Sequence, residues 1–250
     1  MISLKDIYFK DVLKGISFDI FDKRIVMLLG ENGCGKTTLI KNILSIYPVC
    51  SGTIMIDGHD VHTLSVKERA NYMSYIPQKK DIDMSFTLLD LIVSGRMKDL
   101  SIFSNPSIDL YDEAEALLFK FGMDVIQLKT LDTLSGGELQ FGYILRAIFQ
   151  NSKYIIMDEP CSYLDIERQF QFFESMQQLK NHGKTLFMSV HDPNLALRYA
   201  DDIVFMHKGM IQGVFHREDS MFQESICKMY NKTFGNHFEL DTHLNYLYWK

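Results

Sequence analysis

Short apolar runs, each closed by charges or turn residues, punctuate this chain: Ile25 to Leu29, Tyr154 to Met157, Thr185 to Val190 and Ile203 to Met206. Runs of this length without polar alternation predict strands buried on both faces. Helical spacing fills the intervals. Thr38 to Leu44 puts Leu39, Ile40, Ile43 and Leu44 on one face, and Ile166 to Leu179 does the same with Phe170, Phe173, Met176 and Leu179. Strands alternating with helices predict an α/β fold with a mostly parallel sheet covered on both sides. The stretch from about 85 to 150 departs from this pattern. Leu88 to Val93, Tyr111 to Phe121 and Gly136 to Phe149 all read as helix, with no convincing strand among them. The expected organisation is one domain over residues 1–250, with a core at about 1–84 and 151–250 and a helical subdomain inserted at about 85–150.

Composition narrows the classes. With 250 residues, 46% hydrophobic and 23% charged, the chain has the make-up of an ordinary globular protein with a large core. A formal net charge of -6 argues against a dedicated nucleic-acid binder, so nucleic acid is not expected as a partner. No apolar run reaches the roughly 18 residues a membrane span needs. The first residues, MISLKDIYFKDVLKG, scatter charges where a secretory signal would need an apolar stretch. The four cysteines, Cys34, Cys50, Cys161 and Cys227, have neither CxxC spacing nor clustered histidines and read as reduced thiols.

Chemistry concentrates in a few segments. Gly30, Glu31, Asn32, Gly33, Cys34, Gly35, Lys36 and Thr37 satisfy G-x-x-x-x-G-K-[ST] in full, between an apolar strand and an amphipathic helix that continues through Thr38. Glycines let a backbone wrap an anion with its N–H groups inward, and the helix N-terminus adds its positive dipole end. Lys36 supplies a charge for the β- and γ-phosphates of ATP, and the Thr37 hydroxyl can ligate Mg²⁺. YIIMDEP, Tyr154 to Pro160, ends a strand in two carboxylates. Asp158 would hold Mg²⁺ and Glu159 would polarise the attacking water as general base. Ser135 and Glu138 of LSGGE form a capping box, while Gly136 and Gly137 bare the first N–H groups of the helix for a phosphate. Gln78, after Tyr75-Ile76-Pro77, and His191, after Val190, also fall at strand ends. Open α/β sheets bind ligands at that edge, so the phosphate loop, Asp158, Glu159, Gln78 and His191 can gather around one nucleotide.

The order GENGCGKTT, YIPQ, LSGGELQ, IIMDEPCSYLD, SVHD resembles the nucleotide-binding subunit of ABC transporters over nearly the whole chain. The resemblance implies Lys36 and Thr37 as the Walker A pair and Asp158 and Glu159 as the Walker B pair. It implies that Gln78 touches Mg²⁺ and faces the membrane part, that Asp165 marks the D-loop and that His191 senses the γ-phosphate. Ser135, Gly136 and Gly137 would contact the ATP of a second copy packed head-to-tail. FTLLDLIVSGR, Phe86 to Arg96, with Cys34 in the phosphate loop, resembles the branch that imports iron–siderophores, haem and cobalamin. A permease in the membrane, docking on the Gln78 to Phe103 face, and indirectly an extracytoplasmic solute-binding protein are the implied partners. The implied location is the cytoplasmic face of the membrane.

Some positions depart from the family. The loop before Val12-Leu13, where the family stacks adenine on an aromatic residue, is shortened, leaving Tyr8 or Phe9 or neither as the stacker. Cys161 replaces the usual Thr, and Phe141 the usual Arg, so a family surface charge is expected to be missing. The last fifteen residues match nothing in the family. The competing function is a soluble ABC ATPase of the iron–sulfur assembly type. Repair and translation types are disfavoured, because a long coiled coil and a second cassette are both missing. Phe86 to Arg96 disfavours an exporter.

Overall fold

A computed structural model describes residues 1–78, 85–99, 106–162, 164–241 and 246–249. The strands are β1 (Ile2–Phe9), β2 (Leu13–Ile20), β3 (Ile25–Leu29), β4 (Ser51–Ile56), β5 (His59–Asp60), β6 (Met73–Ile76), β7 (Tyr154–Met157), β8 (Thr185–Val190), β9 (Asp202–His207), β10 (Met210–His216), β11 (Phe238–Asp241) and β12 (Tyr246–Trp249). The helices are α1 (Lys36–Ile43), α2 (Val66–Tyr72), α3 (Leu88–Val93), α4 (Ile108–Lys120), α5 (Gly136–Phe149), α6 (Ile166–Asn181), α7 (Pro193–Tyr199) and α8 (Phe222–Phe234).

The central sheet runs β10-β9-β3-β8-β7-β6. Its strands pair in parallel except β10, which pairs antiparallel with β9. Period-two geometry divides each strand between two cores. Ile25, Met27 and Leu29 of β3 face the core under the helices, while Val26 and Leu28 face the other. This double burial is why the strands read as unbroken apolar runs.

The sheet is covered on both sides, as expected, by unlike layers. One side carries helices, but the other packs against α1 and a second, antiparallel sheet of order β2-β1-β4-β5. Its apolar alternation is obscured in β1 by register shifts around a left-handed Asp6 (φ 50°). The face of α6 is corrected: Phe172, Phe173 and Met176 are buried, whereas Phe170 is half exposed. Between Leu88 and Phe149 the described residues form helices and no strand, with Leu88, Leu91, Ala114, Leu118 and Ile144 in the same core as the sheet.

Because β3, β6, β7, β8 and β9 are parallel, their carboxyl ends lie along one edge. Gly30, Gln78, Asp158–Glu159, His191 and Lys208 follow them there.

Candidate active site

The phosphate loop is shaped by what lies behind it. A Cβ at Gly30 would fall 2.2 Å from the carbonyl oxygen of Met206, a backbone atom that cannot give way. Gly35, at the N-cap of α1, is left-handed (φ 111°) and a Cβ there would meet Met206 and Leu13. The N–H of Gly209 donates to the Cys34 carbonyl at 3.1 Å, so the β9–β10 turn buttresses the loop. Cys34 is buried, and burial pushes its thiol above the usual range. Lys36, 5% exposed, folds back and donates to the carbonyls of Gly30 and Glu31 at 2.7 and 2.9 Å. Nδ1 of His207 lies 2.8 Å from Oε1 of Glu31 without the alignment of a hydrogen bond.

The acidic pair follows β7. Asp158 is 1% exposed; its Oδ1 accepts from the Ser189 hydroxyl at 2.7 Å and its Oδ2 is buried without a partner. Glu159 holds a left-handed backbone (φ 47°), which costs a non-glycine residue about 1–3 kcal/mol. Its N–H donates to the Ser189 hydroxyl at 2.9 Å, and its Oε2 accepts from Nε2 of Gln78 at 2.8 Å and from Ser162 at 3.3 Å. Burial, then the Asp158 charge, holds the nearby Tyr75 hydroxyl well above its usual range.

A cleft of about 450 Å³ unites these parts, lined by Val12, Asn32, Gly33, Gly35, Lys36, Thr37, Thr38, Gln78 and Glu159. Gly30, Glu31, Cys34 and Asp158 lie outside that lining. His191 borders a smaller recess of about 20 Å³ that shares Glu159 with the cleft and also holds Cys161, Ser162 and Ser189. Burial raises the Cys161 thiol to about 12.

Ser135, Gly136 and Gly137 are absent from the cleft lining. The capping box forms as expected: the Ser135 N–H donates to Glu138 at 2.7 Å and the Glu138 N–H to the Ser135 hydroxyl at 3.2 Å. Asp165 caps α6, accepting from the Arg168 N–H at 2.8 Å. Neither Tyr8 nor Phe9 lines the cleft; Phe9 stacks on Tyr47 at 5.7 Å, and Val12 occupies the cleft wall. Phe141 is fully buried, so that position is not a surface one, and the Arg168 guanidinium covers its ring at 5.2 Å. On the face expected to dock a permease, residues 79–84 and 100–105 lie outside the described residues. Its Gly95 sits against the Arg146 carbonyl of α5.

Several residues escaped the sequence reading, Ser162 beside Glu159 among them. Ser189 bridges Asp158 and Glu159; as the one polar residue inside β8 after Thr185, it was the available signal. Gln140 donates to the Pro160 carbonyl at 2.9 Å. His207 gave no signal, since its partner Glu31 is remote in sequence.

Fold and cleft together define a phosphate-loop ATPase of the α/β class. The model of the ABC transporter family matches residues 13–162. The manganese transport system ATP-binding protein MntB of Bacillus subtilis (strain 168) is 33% identical over 200 residues, covering 79% of this chain and 78% of its own. The achromobactin transport ATP-binding protein CbrD of Dickeya dadantii (strain 3937) is 30% identical over 201 residues, covering 78% and 73%. A solved ATP-binding subunit of an ABC transporter superposes with a TM-score of 0.77 at 26% identity, covering 90% of this chain and 93% of that one. The dimeric bacterial cassette MJ0796 gives a TM-score of 0.80 at 22% identity, covering 88% and 100%. The chain therefore belongs to the ABC transporter family, as an ATP-binding and ATP-hydrolysing subunit.

Proposed function

We propose that this chain powers an importer of metal chelates of the iron–siderophore, haem or cobalamin kind. The observation that supports its chemistry best is the cleft whose wall Lys36, Thr37, Gln78 and Glu159 share, with Gln78 donating to the Glu159 carboxylate. Lys36 exchanges its two loop carbonyls for the β- and γ-phosphates of ATP, while the N–H groups of Gly33 to Thr38 receive the remaining charge. Glu159 takes the proton of a water attacking the γ-phosphorus, ADP leaves, and His191 at the next strand end senses the γ-phosphate. Thr37, Gln78 and Asp158 would hold Mg²⁺, which when bound neutralises phosphate charge; the buried, unpartnered Oδ2 of Asp158 fits a cation nearby.

The cargo class rests on relatives. Besides CbrD, the iron(3+)-hydroxamate import ATP-binding protein FhuC of Bacillus subtilis (strain 168) is 29% identical over 205 residues, covering 80% of this chain and 75% of its own. These names speak of transport, which disfavours the iron–sulfur assembly alternative. Among the described residues no helix is long and apolar enough to cross a membrane. The chain then works from the cytoplasmic face, on permease subunits that supply the spans, with a solute-binding protein outside. Co-expression with a metal-chelate permease tests this. Uptake of a labelled ferric siderophore is expected, and Glu159→Gln abolishes it. Permease-stimulated ATP hydrolysis without uptake of any metal chelate would overturn the cargo class.

A further inference from the structure

Helix α5 joins two parts of the molecule that the sequence keeps apart. It begins with Gly136 and Gly137 behind the Ser135 cap. One turn on, Gln140 is 1% exposed and its Nε2 donates to the Pro160 carbonyl at 2.9 Å, a buried bond. That carbonyl belongs to the Pro160–Cys161 peptide, one residue beyond Glu159, whose own left-handed backbone is held by Ser189 at its N–H and by Ser162 at its carbonyl. The next residue of the helix, Phe141, lies under the Arg168 guanidinium, and the Arg168 N–H donates to Asp165. Consecutive residues of α5 thus touch the chain at Pro160, next to Glu159, and at Arg168, in the first turn of α6.

The choice of a glutamine here is not explained by packing. Its Oε1 is buried and has no partner, a cost that a leucine or methionine filling the same space would not bear. What an apolar side chain could not do is donate to Pro160.

We propose that Gln140 is a positioning residue for Glu159. It fixes the Pro160 carbonyl, and through it the strained backbone that aims the Glu159 carboxylate into the cleft. It thereby ties that carboxylate to the position of α5, so that a displacement of the Ser135–Gly137 end reaches Glu159 through one hydrogen bond. The inference rests on Glu159 being the base.

The test compares Gln140→Leu and Gln140→Met with wild type, using the full chain. ATP affinity is read with a fluorescent ATP analogue, turnover by phosphate release, and folding by Tm. Both variants are expected to keep affinity and KM within about twofold and to keep or raise Tm, while kcat falls about tenfold. Wild-type kcat in either variant overturns the proposal. So does a parallel loss of affinity and Tm, or failure of both variants to fold, since either means that the glutamine serves packing. Glu159→Gln run alongside separates the two claims: near wild-type turnover there would remove the base assignment itself, whatever Gln140 does.

Discussion

Glu159 adopts a backbone that most side chains avoid; the Ser189 and Ser162 hydroxyls bond that backbone, and the Gln78 amide holds the carboxylate. Strain supported from several directions is what a reacting group needs if it is not to move when its charge changes. Glu159→Gln keeps the shape and the Gln78 contact but cannot accept a proton. Its ATP affinity is expected to stay within twofold while turnover falls roughly 100- to 10,000-fold, measured by phosphate release against equilibrium binding. Turnover near wild type would assign the base elsewhere. The adenine end makes the opposite prediction. Tyr8 and Phe9 lie off the cleft, and Phe9 is already stacked on Tyr47. Tyr8→Ala and Phe9→Ala are therefore expected to leave ATP affinity unchanged in titration calorimetry. A base-stacking aromatic would lose about 1–3 kcal/mol, and a loss of that size in either variant would contradict the placement.

At the scale of elements, Gly95 shows how tightly the segment after α3 rests on α5. A Cβ there would lie 2.6 Å from the Arg146 carbonyl, an atom fixed in the helix. Gly95→Ala must part the two elements at about 1–3 kcal/mol, lowering Tm by roughly 2–4 °C per kcal/mol in a chain of this size. An unchanged Tm would mean that the contact is slack. The elements the sequence revealed are those with one strong cause. β3, β7 and β8 are buried on both faces, so an unbroken apolar run marks each from end to end. α5 starts where Ser135 and Glu138 close a capping box, a signal written in four residues. What stayed hidden has mixed causes. β1 bends through a bulge that breaks its alternation, β10 is only partly buried, and α2 buries no residue at all. The candidate site was legible where the expected chemistry needs rare residue patterns, at Lys36, Asp158 and Glu159. It was not where common residues act through contacts remote in sequence, as Ser189, Gln140 and His207 do.

At the scale of the whole molecule, the two halves of the expected chemistry do not meet. Lys36 and Glu159 share a cleft; Ser135, Gly136 and Gly137, at the start of α5, are not on its wall. If those N–H groups bind phosphate, they bind that of a neighbour, and two identical chains must then complete each other's sites across a two-fold interface. ATP, whose γ-phosphate can bridge Lys36 of one copy and Ser135–Gly137 of the next, should hold the pair together, and ADP should not. Size-exclusion chromatography with light scattering on Glu159→Gln tests this directly. With ATP the protein is expected to elute at twice its 29.1 kDa monomer mass, with ADP as the monomer, and with ATP plus Ser135→Arg again as the monomer. A monomer in every case, with ATP shown to be bound, would contradict the paired, ATP-bridged subunit.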